Sequence, residues 1–175
     1  MPVLSDKTLP LKLGAAVTAI CVGGLFAWGT LVVENITDSM SRGYYIRDVF
    51  DASPSKGDIV FFRRPENVRQ YFAASDSWSI WFDAPHNGML KTVVATSGDV
   101  VCDTDGKFSV NGYDIVSINY DIPNSDALPR IGGCIRLAHN EVAVATNSAR
   151  GIDSRYFGAV RTEDCTVYLP LWMWK

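Results

Sequence analysis

From Leu13 to Val33 the chain reads LGAAVTAICVGGLFAWGTLVV, with no charged residue and no polar periodicity. A bilayer core of roughly 30 Å takes about 20 apolar residues at helical rise, so this stretch is long enough for one crossing. A buried helix at the core of a soluble domain normally keeps a polar stripe, and this one has none. A cleaved signal peptide has a shorter apolar region ending in a small-x-small site, and neither feature is clear here. Cys21 follows Ile20 and has apolar residues on both sides, which is poor context for lipid attachment. The segment therefore reads as an uncleaved transmembrane helix over 13–33.

The flanks set its direction. Lys7 and Lys12 precede the apolar run, while Glu34 and Asp38 follow it. Basic residues stay on the cytoplasmic side, so 1–12 is expected inside and 34–175 outside, in a compartment that permits disulfides. Cys21 lies within the anchor; Cys102, Cys134 and Cys165 remain. Their odd number allows at most one bridge among them, with three buried free thiols as the alternative.

Residues 34–175 have the length of one domain. Hydrophobic residues make up 47% of the chain and charged residues 20%, which suits a folded core. The formal charge of −3, with no basic run, sets nucleic acid aside as a partner. Alternating short runs bounded by turn signals predict strands at Tyr44–Val49, Asp58–Phe62, Met89–Thr96, Val100–Asp103, Phe108–Val110, Tyr113–Val116, Glu141–Thr146, Tyr156–Val160 and Thr166–Leu169. Asn111-Gly112 is a two-residue hairpin turn by composition. Only Glu66–Ala74 reads as helix. The fold class expected is mainly β: a transmembrane helix followed by an antiparallel β-sandwich or partly open barrel. Two aromatic clusters, Trp78-Ser-Ile-Trp-Phe82 and Leu171-Trp-Met-Trp174, fit either core packing or an interfacial belt beside the anchor.

Candidate chemistry begins with Lys91 in Met89-Leu-Lys-Thr-Val-Val-Ala95. Strand alternation puts Lys91 on one face with Met89, Val93 and Ala95. A lysine on an apolar face loses hydration, which lowers its pKa toward a range where the neutral amine exists. A neutral amine can take the proton of a serine hydroxyl, and Ser–Lys is an established pairing of nucleophile and base. The competing reading has Lys91 reaching solvent from an edge strand. Ser39, just past the apolar run, is by itself an ordinary linker serine. The only histidines, His86 and His139, lack metal-ligand spacing, no Gly-x-Ser-x-Gly elbow exists, and no phosphate-binding loop is present. No metal and no cofactor is implied.

Four ordered blocks then carry a resemblance: Asn35-x-Thr37-x-Ser39-Met-Ser-x-Gly43-Tyr-Tyr, Lys56-Gly-Asp-Ile-Val60, Leu90-Lys-Thr-Val-Val-Ala-Thr-Ser-Gly-Asp99 and Asp153-Ser-Arg-Tyr-Phe-Gly158. In this order, after a membrane segment, the chain resembles the type I signal peptidase clan of Ser/Lys peptidases, and most closely the TraF-type peptidases of conjugative transfer. The resemblance implies an antiparallel β domain with Ser39 as the acylated nucleophile and Lys91 as general base. It implies that the Ser39 N–H and the Thr37 hydroxyl donate to the oxyanion. Losing one such donor typically costs about 3–4 kcal/mol of transition-state stabilisation. Asp153 matches a residue implicated in activity, and Arg155 the basic residue beside it; a salt bridge closing the sheet is the alternative role for this pair. The cysteine pair common in TraF-type proteins implies a Cys102–Cys134 bridge, with Cys165 free.

The chain departs from the pattern at three positions. Ser41 stands where the family usually has Pro, and Thr92 where it usually has Arg. Gly151 falls where signal peptidases often carry a serine that orients the lysine; Ser148 or Asp153 is left for that task. The implied activity is that of a serine endopeptidase in the bacterial inner membrane, single-pass, with its catalytic domain in the periplasm. Its partners would be the lipid bilayer, a pilin precursor or a signal-peptide-bearing preprotein, and the conjugative transfer apparatus. A general signal peptidase is the alternative within the class. An inactive anchored β module of a transfer apparatus is the alternative outside it.

Overall fold

The computed structural model describes residues 18, 21–24, 28–51, 53–74, 88–104, 106–117, 131–146, 148 and 151–174. Residues 13–17, 19–20 and 25–27 of the expected anchor, and the whole Trp78–Phe82 cluster, lie outside the described residues. Within the anchor, residues 18, 21–24 and 28–31 are helical, and no helix among the described residues is long and apolar enough to cross a membrane. The apolar run does not end as helix. Val32 and Val33 open strand β1, Val32–Asn35, where both are buried.

Ten more strands follow: β2 (Gly43–Arg47), β3 (Ile59–Arg63), β4 (Gly88–Ala95), β5 (Val100–Thr104), β6 (Lys107–Val110), β7 (Tyr113–Ser117), β8 (Gly133–Arg136), β9 (Glu141–Ala145), β10 (Val160–Arg161) and β11 (Cys165–Met173). They form a seven-stranded sheet in the order β1-β2-β11-β3-β4-β9-β10 and a four-stranded sheet in the order β7-β6-β5-β8. Every pairing is antiparallel. The helices are α1 (Glu66–Ala74) and the single turn α2 (Ser154–Phe157). The mainly β reading and the Glu66–Ala74 helix hold.

The two sheets share one apolar cluster. Val101, Phe108 and Val110 from the small sheet meet Ala95, Ala143 and Ala145 from the large one, with Val68 of α1 and Tyr156 of α2. A second cluster, with Val60, Phe62, Val93 and Val144, fills the middle of the large sheet. Fully burying such a side chain contributes about 1.5–3 kcal/mol, so these strands hold each other in register. A third cluster gathers Val33, Tyr45, Leu90 and Tyr168, with Met40 packed against it. That third cluster seats the start of the domain against β4.

One predicted strand is corrected. Tyr156–Val160 is not extended: Ser154–Phe157 forms α2, and only Val160–Arg161 pairs, with β9. The Asp153 carboxylate accepts from the Arg155 N–H to cap the turn, and Gly158, at φ 80°, ends it. Two strands escape the alternation rule. β1 is hidden in the apolar run, and β8 begins in Gly-Gly-Cys, which has no β signature of its own.

Residues of the second and third motif blocks meet at the joint between the sheets. Lys56 Nζ lies 2.8 Å from Asp99 Oδ2, which also accepts from Thr96 N–H. The Lys56 hydrogen bond, helped by the Thr96 N–H, holds the Asp99 carboxyl down at about 2. Asn111 in the β6–β7 turn donates to Asp99 Oδ1 and accepts from Val100 N–H. These carboxylate and amide contacts fix where the small sheet leaves the large one. At the C-terminal end, Gly43 of β2 lies so close to Trp172 O and Met173 that a side chain there would collide.

Cys102 and Cys134 face each other across the β5–β8 pair and form a disulfide. Cys165 carries a free thiol, which burial and the neighbouring Asp164 push up to about 12. The bridge spans a sequence separation of 32, and on a chain-entropy account a loop of that size stabilises by about 2–4 kcal/mol. Reductant should therefore lower the urea midpoint of unfolding, and intact mass should shift by one bridge. An unchanged midpoint would argue that the bridge contributes nothing.

Candidate active site

Ser39 sits in the connection 36–42 between β1 and β2 and is half-buried. A single side chain at the end of β1 shapes this connection. Asn35 Nδ2 lies 3.0 Å from Thr37 O, 3.1 Å from Met40 O and 3.1 Å from Ser41 O. Its Oδ1 accepts from Thr37 Oγ1 at 2.8 Å, and Thr37 Oγ1 lies 2.9 Å from Ser39 Oγ. The buried Tyr45 hydroxyl also donates to Ser41 O at 2.7 Å. Ser41, which stands in place of a ring-constrained proline, is thus tethered through its carbonyl by two donors. The Asp38–Arg42 ion pair on the outside of the turn is exposed and adds little.

Lys91 lies on β4, between β3 and β9, so it is an interior-strand lysine and does not reach water from an edge. Its side chain is 3% exposed. The expected alternation holds as far as Val93, with Leu90 turned to the third apolar cluster; a register shift between Val93 and Ala95 then interrupts it. Burial pushes the ammonium down to about 8; the Asp153 carboxylate opposes this, and the Arg155 and Arg64 cations reinforce it. Among the described residues the Lys91 side chain makes no hydrogen bond, and none joins it to Ser39. Met40, next to the serine, packs its sulfur 3.7 Å from Thr92 Oγ1, next to the lysine. Thr92 alternates with Lys91 and shares its side of β4 with Leu90, so this contact places Met40 on the face of β4 that carries the third apolar cluster.

Behind the lysine stands a fully buried ion pair. Asp153 and Arg155 are both 0% exposed. Arg155 donates from Nε to Asp153 Oδ1 and from a terminal nitrogen to Oδ2, each at 2.7 Å. That same terminal nitrogen donates to Ser148 O at 2.9 Å and Gly151 O at 2.7 Å. Asp153 Oδ2 further accepts from Thr146 N–H at 3.0 Å. The carboxylate is engaged on both oxygens and acts on Lys91 through its field. Ser154 Oγ, next in the chain, accepts from Val144 N–H and straps α2 to β9.

Gly151 has a local cause. A side chain there would strike the Thr146 hydroxyl and the Arg155 guanidinium. Continuing the β4–β9 register of Thr92 with Ala145 by one residue sets Thr146 opposite Lys91. The space a serine side chain would take at 151 is thus already occupied by a threonine hydroxyl from the neighbouring strand.

The first motif block contains Asn35 and Tyr45 but gives neither a role, and no block contains Arg64 or Thr146. For Thr146 the signal lies in the pairing of β9 with β4. Among the described residues no group of His, Cys, Asp and Glu is placed to hold a metal ion.

Replacing Arg155 by Met removes the cation and leaves the Asp153 carboxylate buried and unpaired. Breaking such a pair costs about 3–5 kcal/mol. Denaturant unfolding of Arg155→Met should show a loss of that size; a change below about 1 kcal/mol would mean that the pair does not hold the α2 region.

No curated protein matches the chain. A family model does: across residues 8–174, which take in the serine connection, the β4 lysine and the buried pair, the chain matches, and belongs to, the signal peptidase family, peptidase S26.

Proposed function

We propose that the chain is a membrane-bound serine endopeptidase of the TraF type, with Ser39 as nucleophile and Lys91 as general base. The observation that carries this is Lys91 itself: an interior-strand lysine, almost wholly buried, brought to about 8, its side chain without a hydrogen-bond partner among the described residues. Burying an ammonium in that way costs stability, and groups perturbed like this cluster at functional sites. Membership in the signal peptidase family supports reading Lys91 as such a group.

In the proposed reaction, Ser39 Oγ attacks the carbonyl carbon of the scissile peptide while its proton passes to the neutral Lys91 amine. The Ser39 N–H donates to the developing oxyanion. Collapse breaks the C–N bond, and the Lys91 ammonium returns its proton to the leaving amine, giving an acyl-enzyme. Water, deprotonated by Lys91, resolves the ester and frees Ser39. If a substrate amine takes the water's place, the product is a ring. The substrate proposed is a conjugative pilin precursor, met in the periplasm beside the inner membrane that the N-terminal segment would span. The ordered motif blocks and the Cys102–Cys134 bridge favour this branch. General signal peptidase action on secretory preproteins is the second reading, favoured by the family match alone.

The test is processing of a pilin precursor and of a secretory preprotein by membranes carrying the native chain, Ser39→Ala or Lys91→Ala. Each substitution should abolish cleavage; survival in both variants would sink the Ser–Lys mechanism. Cleavage of the preprotein but not the pilin would select the second reading. Because the base must be neutral, kcat/KM should rise with pH on a limb centred near 8. An ordinary lysine would place that limb near 10.4.

A further inference from the structure

One amide organises the whole connection that carries the nucleophile. Asn35 closes β1 at its pairing with Gly43 and is 7% exposed. Three carbonyl oxygens, of Thr37, Met40 and Ser41, surround one end of its side chain at 3.0–3.1 Å. Only the NH₂ end can bond to carbonyls, so the orientation of the amide is fixed by its surroundings. Its oxygen must then face Thr37, where it accepts from the hydroxyl at 2.8 Å.

Proton counting gives the rest. Thr37 has one hydroxyl proton, and Asn35 Oδ1 has none to offer in return. With that proton committed to Asn35, the 2.9 Å contact between Thr37 and Ser39 must be donated by Ser39. The chain of hydrogen bonds therefore runs in one direction, Ser39 to Thr37 to Asn35.

We propose that Asn35 is the positioning residue of the nucleophile, fixing the backbone on both sides of Ser39 and turning Thr37 into an acceptor that holds the Ser39 hydroxyl. This rests on Ser39 being the acylated serine. Two consequences follow. The Ser39 N–H, which would face the oxyanion, is held by a connection tethered to Asn35 at residues 37, 40 and 41. Thr37 cannot donate to an oxyanion while Asn35 keeps its proton, so it steadies Ser39 until the hydroxyl turns toward Lys91.

The expected ranking of variants is the reverse of that for a Thr37 oxyanion donor. The probe is a detergent-solubilised preprotein with alanine before the scissile bond, cleaved by the full chain. Asn35→Asp keeps the acceptor for Thr37 and removes all donation to the carbonyls. Both Asn35→Ala and Asn35→Asp should lower kcat by about 100-fold or more, with KM within about twofold, as expected when only the reacting geometry is lost. The ascending limb near pH 8 set by Lys91 should stay in place, because Asn35 acts on the serine. Thr37→Val should lower kcat by no more than about 10-fold, and Thr37→Ser should recover most of that loss; a missing oxyanion donor would instead cost about 10²–10³-fold. Thermal melts establish that each variant is folded, and the Thr37 pair tests the proton direction even if Asn35→Ala does not fold.

Native kcat in Asn35→Asp would overturn the positioning role. A Thr37→Val loss of the full donor size, exceeding that of either Asn35 variant, would overturn the proton direction. Ser39→Ala separates the two levels. If it still cleaves, the nucleophile assignment itself fails. If it is inactive while the Asn35 variants keep native kcat, only the role of Asn35 fails.

Discussion

An ammonium and a guanidinium do not share a protein interior unless something compensates them, and here the Asp153 carboxylate does. Arg155 and Asp153 are wholly buried and bound through two parallel hydrogen bonds. Further hydrogen bonds to each group come from the chain around it, at Thr146, Ser148 and Gly151. A buried pair of this kind adds little net stability against an apolar replacement, while removal of one partner is severe. Its value lies in specification. It ties Thr146, Ser148 and Gly151 to one buried pair and places a fixed electrostatic field beside β4.

Lys91 sits within that field, and its proton affinity reflects a balance. Burial in the sheet, Arg155 and Arg64 all favour the neutral amine, and Asp153 opposes them. Without the carboxylate the ammonium would be further depressed; without burial the lysine would behave like one at the surface. An ammonium held near 8 gives a substantial neutral fraction close to physiological pH while leaving the amine basic enough to take a serine proton. The pair and the lysine thus form one electrostatic unit, although the sequence separates them by some sixty residues.

How much of this was legible in the sequence depends on whether the cause was local. The Glu141–Ala145 strand and the Asn111-Gly112 turn followed from alternation and turn chemistry, because those causes act within a few residues. Lys91 was visible as a charge on an apolar face. Its depth was not, because that comes from β3 on one side and β9 on the other, and β9 lies fifty residues on. The strand expected at Tyr156–Val160 failed for a local reason of another kind. Asp153 captures the Arg155 N–H and nucleates a helical turn that residue preference alone does not signal. Gly151 looked like a missing hydroxyl in one dimension. In three dimensions its side-chain space belongs to Thr146.

The same reasoning bears on where the serine stands relative to the N-terminal segment. Residues 28–31 are helical, β1 begins at Val32, and Ser39 follows the end of that strand closely. β1 advances about 13 Å over its four residues at strand rise. Trp28 packs edge-on against Tyr44, and Tyr44 against Trp174, so aromatic contacts tie the last helical turn to β2 and to the chain's C-terminal end. Beside this junction, Leu171 and Trp172 on β11 present exposed apolar surface. If the segment before Val32 spans a bilayer as proposed, Ser39, the proposed nucleophile, is held within a strand's length of its surface by sheet pairing and ring packing. A peptide bond just outside the membrane is then the bond such a serine can reach. That constraint on the substrate arises from the short β1 strand, before any pocket has selected a side chain.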